Sequence, residues 1–207
     1  MSVSDCAPWI ATTSGRRFDF SGPTPDMVDA SDVVTASSRL FRFTGHGRRQ
    51  PLDLNQHHLL VHEIASFLAV HEARAGDILQ GALTHDAHEV YVGDVSRPLK
   101  VAMREAQGGR STYDLIEQAA QLAVLSHFGT PLDIVQHPVL KLADNMALAW
   151  EARWLFGETW GLPLPPFVPH MLSPDDAAHR MFDVLTEYRA QAFDRSSRST
   201  PSDGSAS

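Results

Sequence analysis

The chain has 207 residues, 43% hydrophobic and 20% charged, with 17 basic against 25 acidic side chains for a formal charge of −8, which is the length and apolar content of one globular domain. Its single cysteine, Cys6, excludes an intramolecular disulfide framework and any thiolate-rich zinc site, so a metal would have to be held by the 11 histidines and the acidic surplus. No apolar run reaches the roughly 18 to 20 residues of a membrane span, no signal-peptide order opens the chain, and the net charge argues against binding extended nucleic acid. The expected location is cytoplasmic.

Residues 1 to 30 carry Pro, Gly and Ser without a helical period and read as a loop-rich segment with a short hairpin around Ser14 and Gly15. From Ser31 onward apolar residues recur at helical spacing near 31 to 40, 53 to 72, 76 to 91, 97 to 106, 111 to 128, 137 to 156 and 173 to 192. Asp53, Ser111 and Ser173 stand where N-caps belong, the last followed by Pro174 and two aspartates. No long alternating run argues for a sheet. The sequence therefore predicts an all-α domain over residues 31 to 195, a compact helical bundle, with a Ser-rich disordered tail from 196 to 207.

Three of these helices turn metal-competent side chains toward their apolar faces. At 100° per residue, His57 falls within the arc of Leu60, Val61, Ile64, Phe67 and Leu68. His58 points about 100° away, and His62 follows it one turn later; the pair reads as two solvated histidines, with a surface metal site the alternative. In the next stretch Asp86 sits at the centre of the arc of Ile78, Leu79, Ala82, Leu83 and Val90, with His85 and Glu89 at its edge and His88 directed to the surface. In the stretch 137 to 156, Asp144 lies among Leu140, Ala143, Ala147, Leu148 and Trp154, and Glu151, two turns on, falls along the same side, with pairing to Arg153 or Arg180 at an edge the alternative. Each side chain alone has a structural explanation as a satisfied core polar group. Together they point to one buried site between facing helices, a place where bundles house metals.

The His85-Asp86 dipeptide by itself carries nothing, because 11 His and 17 Asp in 207 residues supply about one by chance. Its surroundings do carry something. The order His57, His85-Asp86, Asp144 resembles the HD-domain phosphohydrolase superfamily, and the string His85-Asp-Ala-His-Glu89-Val-Tyr-Val-Gly-Asp94-Val-Ser-Arg-Pro98-Leu-Lys100 is similar to the HDxxExxxGDxxxPxK motif of bacterial 5′-deoxynucleotidases and phage dATP triphosphohydrolases. Arg42-Phe-Thr-Gly-His46, Gln56-His57, Lys141-Leu-Ala-Asp144 and the opening from Trp9 to Asp19 resemble that branch as well.

The resemblance implies an HD-domain bundle with His57, His85, Asp86 and Asp144 as ligands of a divalent transition metal (Co, Mn, Zn or Fe), with Mg in addition for a triphosphate substrate. It implies that Glu89 orients or deprotonates the attacking water, that Asp94 fixes the sugar or that water, and that Arg42 contacts phosphate with Phe43 near C2′ of the sugar. Lys100 and Arg97 would add positive charge at the mouth. Phe43 stands where the deoxynucleotidases usually carry Trp. The implied activity is removal of the 5′-phosphate or triphosphate from a 2′-deoxynucleotide for nucleotide-pool control, in a bacterial cytoplasm or an infected host cell, by a homo-oligomer. The alternatives are an HD phosphohydrolase of another phosphoester, such as a cyclic nucleotide or ppGpp, and a non-catalytic nucleotide-binding module. Trp150, Trp154 and Trp160, with Phe156, read as core and inter-subunit packing. Cys6 reads as an incidental thiol.

Overall fold

The computed structural model of the protein describes residues 8–198. Cys6 and positions 199 to 207, most of the predicted tail, lie outside them. Strand β1 (Trp9–Ala11) pairs antiparallel with β2 (Arg17–Asp19), and the chain turns at Gly15 with φ 84°, a conformation suited to a residue without Cβ. The predicted hairpin is thus present. The backbone N–H and hydroxyl of Ser14 both donate to the buried Asp32, at 2.6 and 2.7 Å, which fastens the hairpin to α1 (Ala30–Ser37). Phe18 is fully buried and stacks on Tyr91 with ring centres 3.9 Å apart.

Most of the rest of the described chain is helical, apart from stretches such as 157 to 173, and the helix start signals are those read from sequence. Asp53 opens α2 (Leu54–Leu68) in a reciprocal capping box with Gln56, and Ser111 opens α6 (Thr112–Phe128) in another with Asp114; the elements between them are α3 (Ala75–Thr84), α4 (Glu89–Val92) and α5 (Arg97–Ala106). α7 (Pro138–Phe156) has proline at its first position and stops at Gly157, φ 86°. In α8 (Pro174–Arg198) the Ser173 hydroxyl accepts the Asp176 N–H at 3.2 Å, and the helix runs through the first three residues of the predicted tail.

One predicted helix is broken. The pattern over 76 to 91 reads as continuous, yet α3 ends at Thr84 and α4 starts at Glu89. Between them the N–H groups of Ala87, Glu89 and Tyr91 reach back three residues, to Thr84, Asp86 and His88, so the chain winds at about 120° per residue instead of 100°. The cause is local. The Gln121 side chain donates to the His85 carbonyl at 2.9 Å, taking the acceptor that the Glu89 N–H would use in an α-helix.

α2 runs through the middle of the molecule, packed against α1, α3, α7 and α8. Two apolar clusters form the core: Phe18, Val33, Leu83, Val124, Phe128, Met181 and Leu185 on one side, and Leu60, Ile64, Ile78, Ala82, Ile134 and Leu140 on the other. α3 contributes to both. The close approach at Gly81, where a Cβ would lie 3.0 Å from Ile134 and Leu140, lets α3 pack tightly against α7 and the turn before it. α5 is peripheral: none of its residues is buried, Gly93 (φ 87°) precedes it, and Gly108 and Gly109 (φ 69° and 154°) follow it. Among the described residues, no helix is long and apolar enough to cross a membrane.

Candidate metal centre

α2, α3 and α7 bring His57, His85, Asp86 and Asp144 together, with one donor atom from each lying within 4.8 Å of all the others. His57 Nε2 is 3.6 Å from Asp144 Oδ1 and 3.8 Å from Asp86 Oδ2; His85 Nε2 is 3.3 Å from Asp86 Oδ2 and 3.8 Å from Asp144 Oδ1. Neighbouring ligands held at about 2.1 Å from a common ion sit roughly 3.0 to 3.4 Å apart, and these four His–carboxylate separations lie in that range or a few tenths of an ångström above it. Both Nε2 atoms are buried and have no hydrogen-bond partner. Orphaned buried nitrogens are costly, and an ion would satisfy both at once. The cluster can hold a metal ion.

The outer ring nitrogens fix how the two imidazoles present themselves. His57 Nδ1 lies 2.8 Å from Glu151 Oε1, and His85 Nδ1 lies 3.1 Å from the Ala82 carbonyl. A proton on Nδ1 serves both contacts and leaves the Nε2 lone pairs facing the cluster. Burial opposes charge on His85, but Asp86 and Asp144 outweigh it and hold the imidazole up at about 9 in the metal-free protein. Asp86 is driven the other way: despite its burial, the charges of His85, His57, His88 and Arg42 keep its carboxyl far below the usual range.

The neighbouring expected residues are placed as follows. Glu89 is buried, its Oε2 is unpartnered, and burial together with the charges of Asp86 and Asp94 pushes its carboxyl well above the ordinary value. Arg42 is nearly enclosed. Its Nη1 donates to Asp94 at 3.0 Å and its Nε faces Glu151 at 3.4 Å, while Nη2 has no acceptor among the described residues. The Arg42 N–H bonds the Leu52 carbonyl, and Phe41 pairs with Asp53, so the turn carrying the arginine is tied to the start of α2. Phe43 and Thr44 follow at φ 54°, a left-handed conformation strained for residues with a Cβ and commonest at functional turns. The Phe43 ring packs edge-on against Phe156 and Trp160.

Beside Asp86 opens a cavity of about 540 Å³ between α5 and α6, with Lys100, Arg104, His88, Glu117 and Gln121 in its walls. Lys100 pairs with Glu117 across it, and Arg104 clasps Asp114. Arg97 is exposed at the start of α5, makes no polar contact with a described residue, and does not line this cavity.

Several side chains differ from their sequence reading. His58 is fully buried, with both ring nitrogens unpartnered and its ring 5.8 Å from that of His85, and burial holds it neutral. A helical wheel with one apolar face cannot find it, because α2 is enclosed on several sides. Phe67, placed by the same wheel in the core, is 55% exposed. His88 is buried with Nε2 3.7 Å from Glu117, its direction altered by the tighter winding after Thr84. Glu151 lies on the side of Asp144, as the sequence reading has it, and is a fully buried partner of His57 and Arg42; the alternative pairing with Arg153 or Arg180 is not formed. Its seven-residue spacing from Asp144 puts both on one side of α7. Trp154 and Trp160 are 37% and 51% exposed; Trp150 stacks on Trp154 with ring centres 5.7 Å apart.

No protein-family model matches the chain. It is 28% identical over 153 residues to an uncharacterized protein of Rhodobacter capsulatus, covering 72% of this chain and 74% of that one. It is likewise 28% identical over 145 residues to YfdR, an uncharacterized protein of Escherichia coli, covering 70% and 71%.

Proposed function

We propose that the protein is a metal-dependent HD-type phosphohydrolase that removes the 5′-phosphate or triphosphate from a 2′-deoxynucleotide. The observation that carries the reading is the convergence of two buried, unpartnered Nε2 atoms on Asp86 and Asp144, with the buried Glu89 carboxyl alongside. The mixed N/O donor set suits Mn, Fe, Co or Zn, with Mg a further occupant when a triphosphate brings its own oxygens. When bound, such an ion supplies Lewis acidity toward a phosphoryl oxygen and acidifies water.

The chain's own residues do the rest. Asp86 and Asp144 offer two negative charges, matching a divalent ion. A carboxyl raised as Glu89 is exchanges protons nearer neutral pH than an exposed glutamate does, which suits it to accept the proton of the attacking water. As the water oxygen bonds phosphorus, the bond from phosphorus to the nucleoside O5′ breaks and O5′ leaves with the electron pair to take up a proton; charge builds on the phosphoryl oxygens, and the free Nη2 of Arg42 is the cation available to meet it. Asp94 holds that guanidinium in place. The cavity beside Asp86 is walled by charged and amide side chains, a lining that favours phosphate and sugar hydroxyls over an apolar group. Self-association, implied by the same resemblance, is a separate expectation to be read from the mass in solution.

The test is product identification for the mono- and triphosphates of the eight common ribo- and deoxynucleosides, with metal-stripped protein reloaded with Mn, Co, Zn or Mg. Release of phosphate or triphosphate from deoxynucleotides is the expected result. Metal-loaded protein that binds a deoxynucleotide and releases neither product would overturn the proposal.

A further inference from the structure

We propose that Glu151 is a positioning residue that aligns the metal-binding and phosphate-binding halves of the site through its two oxygens. The proposal rests on the metal-centre reading above. Glu151 sits inside α7 with no solvent exposure, where a carboxylate is tolerated only if its oxygens are paired. One oxygen takes His57 Nδ1 at 2.8 Å and the other faces Arg42 Nε at 3.4 Å. The first contact puts the proton on Nδ1 and leaves Nε2 bare toward Asp86 and Asp144. The second, opposite the Arg42–Asp94 bond of 3.0 Å, fixes the guanidinium from a second side and leaves Nη2 for a ligand.

Only a group that accepts on both sides can do this. A glutamine of nearly the same shape has one acceptor oxygen and one donor amide. With its oxygen toward His57, the NH2 opposes the Nε–H of Arg42. With the amide reversed, its NH2 donates to Nδ1 and drives the proton to Nε2, where it blocks the ion. The sequence distance between the partners, Arg42 before α2 and His57 within it, is bridged by this one side chain from a third element.

The experiment compares Glu151→Gln with wild type, each stripped of metal, in calorimetric titration with Co2+ and no substrate, and then in titration of the Co2+-saturated proteins with inorganic phosphate. Expected are a 10- to 100-fold loss of Co2+ affinity, a weaker phosphate affinity, and partial recovery of Co2+ affinity in Glu151→Asp, whose shorter carboxylate still accepts. Nitrogen-detected NMR of the Zn2+-loaded wild type should show His57 protonated at Nδ1 and ligated through Nε2, a readout that stands even if Glu151→Gln does not fold. Co2+ affinity within threefold of wild type, or His57 ligated through Nδ1, overturns the His57 half; unchanged phosphate affinity overturns the Arg42 half. These outcomes are independent of turnover, so absence of nucleotide hydrolysis would count against the proposed function and not against Glu151.

Discussion

Replacing Asp144 with alanine separates what the metal contributes to stability from what the apoprotein already has. The Asp144 side chain is 29% exposed, so its removal leaves no sealed cavity; it relieves repulsion with Asp86 and gives up attraction to His85, two changes of opposite sign. The metal-free variant should therefore differ from wild type by about 1 kcal/mol or less. The loaded proteins should differ more. At an ion concentration 100 times its Kd, binding stabilises the wild type by about 2.7 kcal/mol, which for a chain of this length corresponds to a rise in Tm of roughly 5 to 11 °C. Loss of one of four ligands should weaken binding at least as much as loss of an outer-shell partner, about 100-fold; at the same ion concentration the gain then falls to about 0.4 kcal/mol, or roughly 1 to 2 °C. Scanning calorimetry of EDTA-stripped protein, with and without Co2+ or Mn2+, measures both numbers. An undiminished metal-induced rise in the Asp144→Ala variant would refute the four-ligand site.

Glu89→Gln should keep the full metal-induced rise in Tm and lose turnover by about 10²- to 10⁴-fold, the usual contribution of a positioned base; equal kcat values would remove Glu89 from the chemistry. Because His85 is held protonated up to about 9, an ion must displace its proton at neutral pH. Co2+ affinity should accordingly fall by up to tenfold for each unit the pH is lowered between 8.5 and 6.5, whereas a flat profile in titrations across that range would show that the histidine is already neutral. Gly81→Ala should destabilise the protein by about 1 to 3 kcal/mol in urea unfolding, since the new methyl would meet Ile134 and Leu140 at 3.0 Å. It should also weaken metal binding by shifting α3, and full stability would show that this packing has slack.

The helices and the four donors were legible because they obey local rules. Caps at Asp53, Ser111 and Ser173 announce their helices through residues three or four positions away, and a polar side chain on an apolar face is visible to a helical wheel. What escaped depends on contacts between distant elements. The break after Thr84 arises from Gln121, 36 positions past His85 and on another helix. The burial of His58 follows from α2 being enclosed on more than one side, and the role of Glu151 from its meeting residues of two other elements. The left-handed pair Phe43 and Thr44 had no glycine to mark it. Resemblance supplied the expected roles of Arg42 and Asp94, yet gave no hint that the two would bind each other.

The burial pattern also distributes mutational tolerance unevenly over the site. The four donors are enclosed by α2, α7 and the end of α3, whose inward apolar residues are core, so substitution of those neighbours costs folding. Lys100 and Arg104, by contrast, reach the cavity from α5, a helix with no buried residue that is bracketed by Gly93 and the Gly108-Gly109 pair. Changes of charge in that helix alter the lining of the cavity while touching no buried residue of α5.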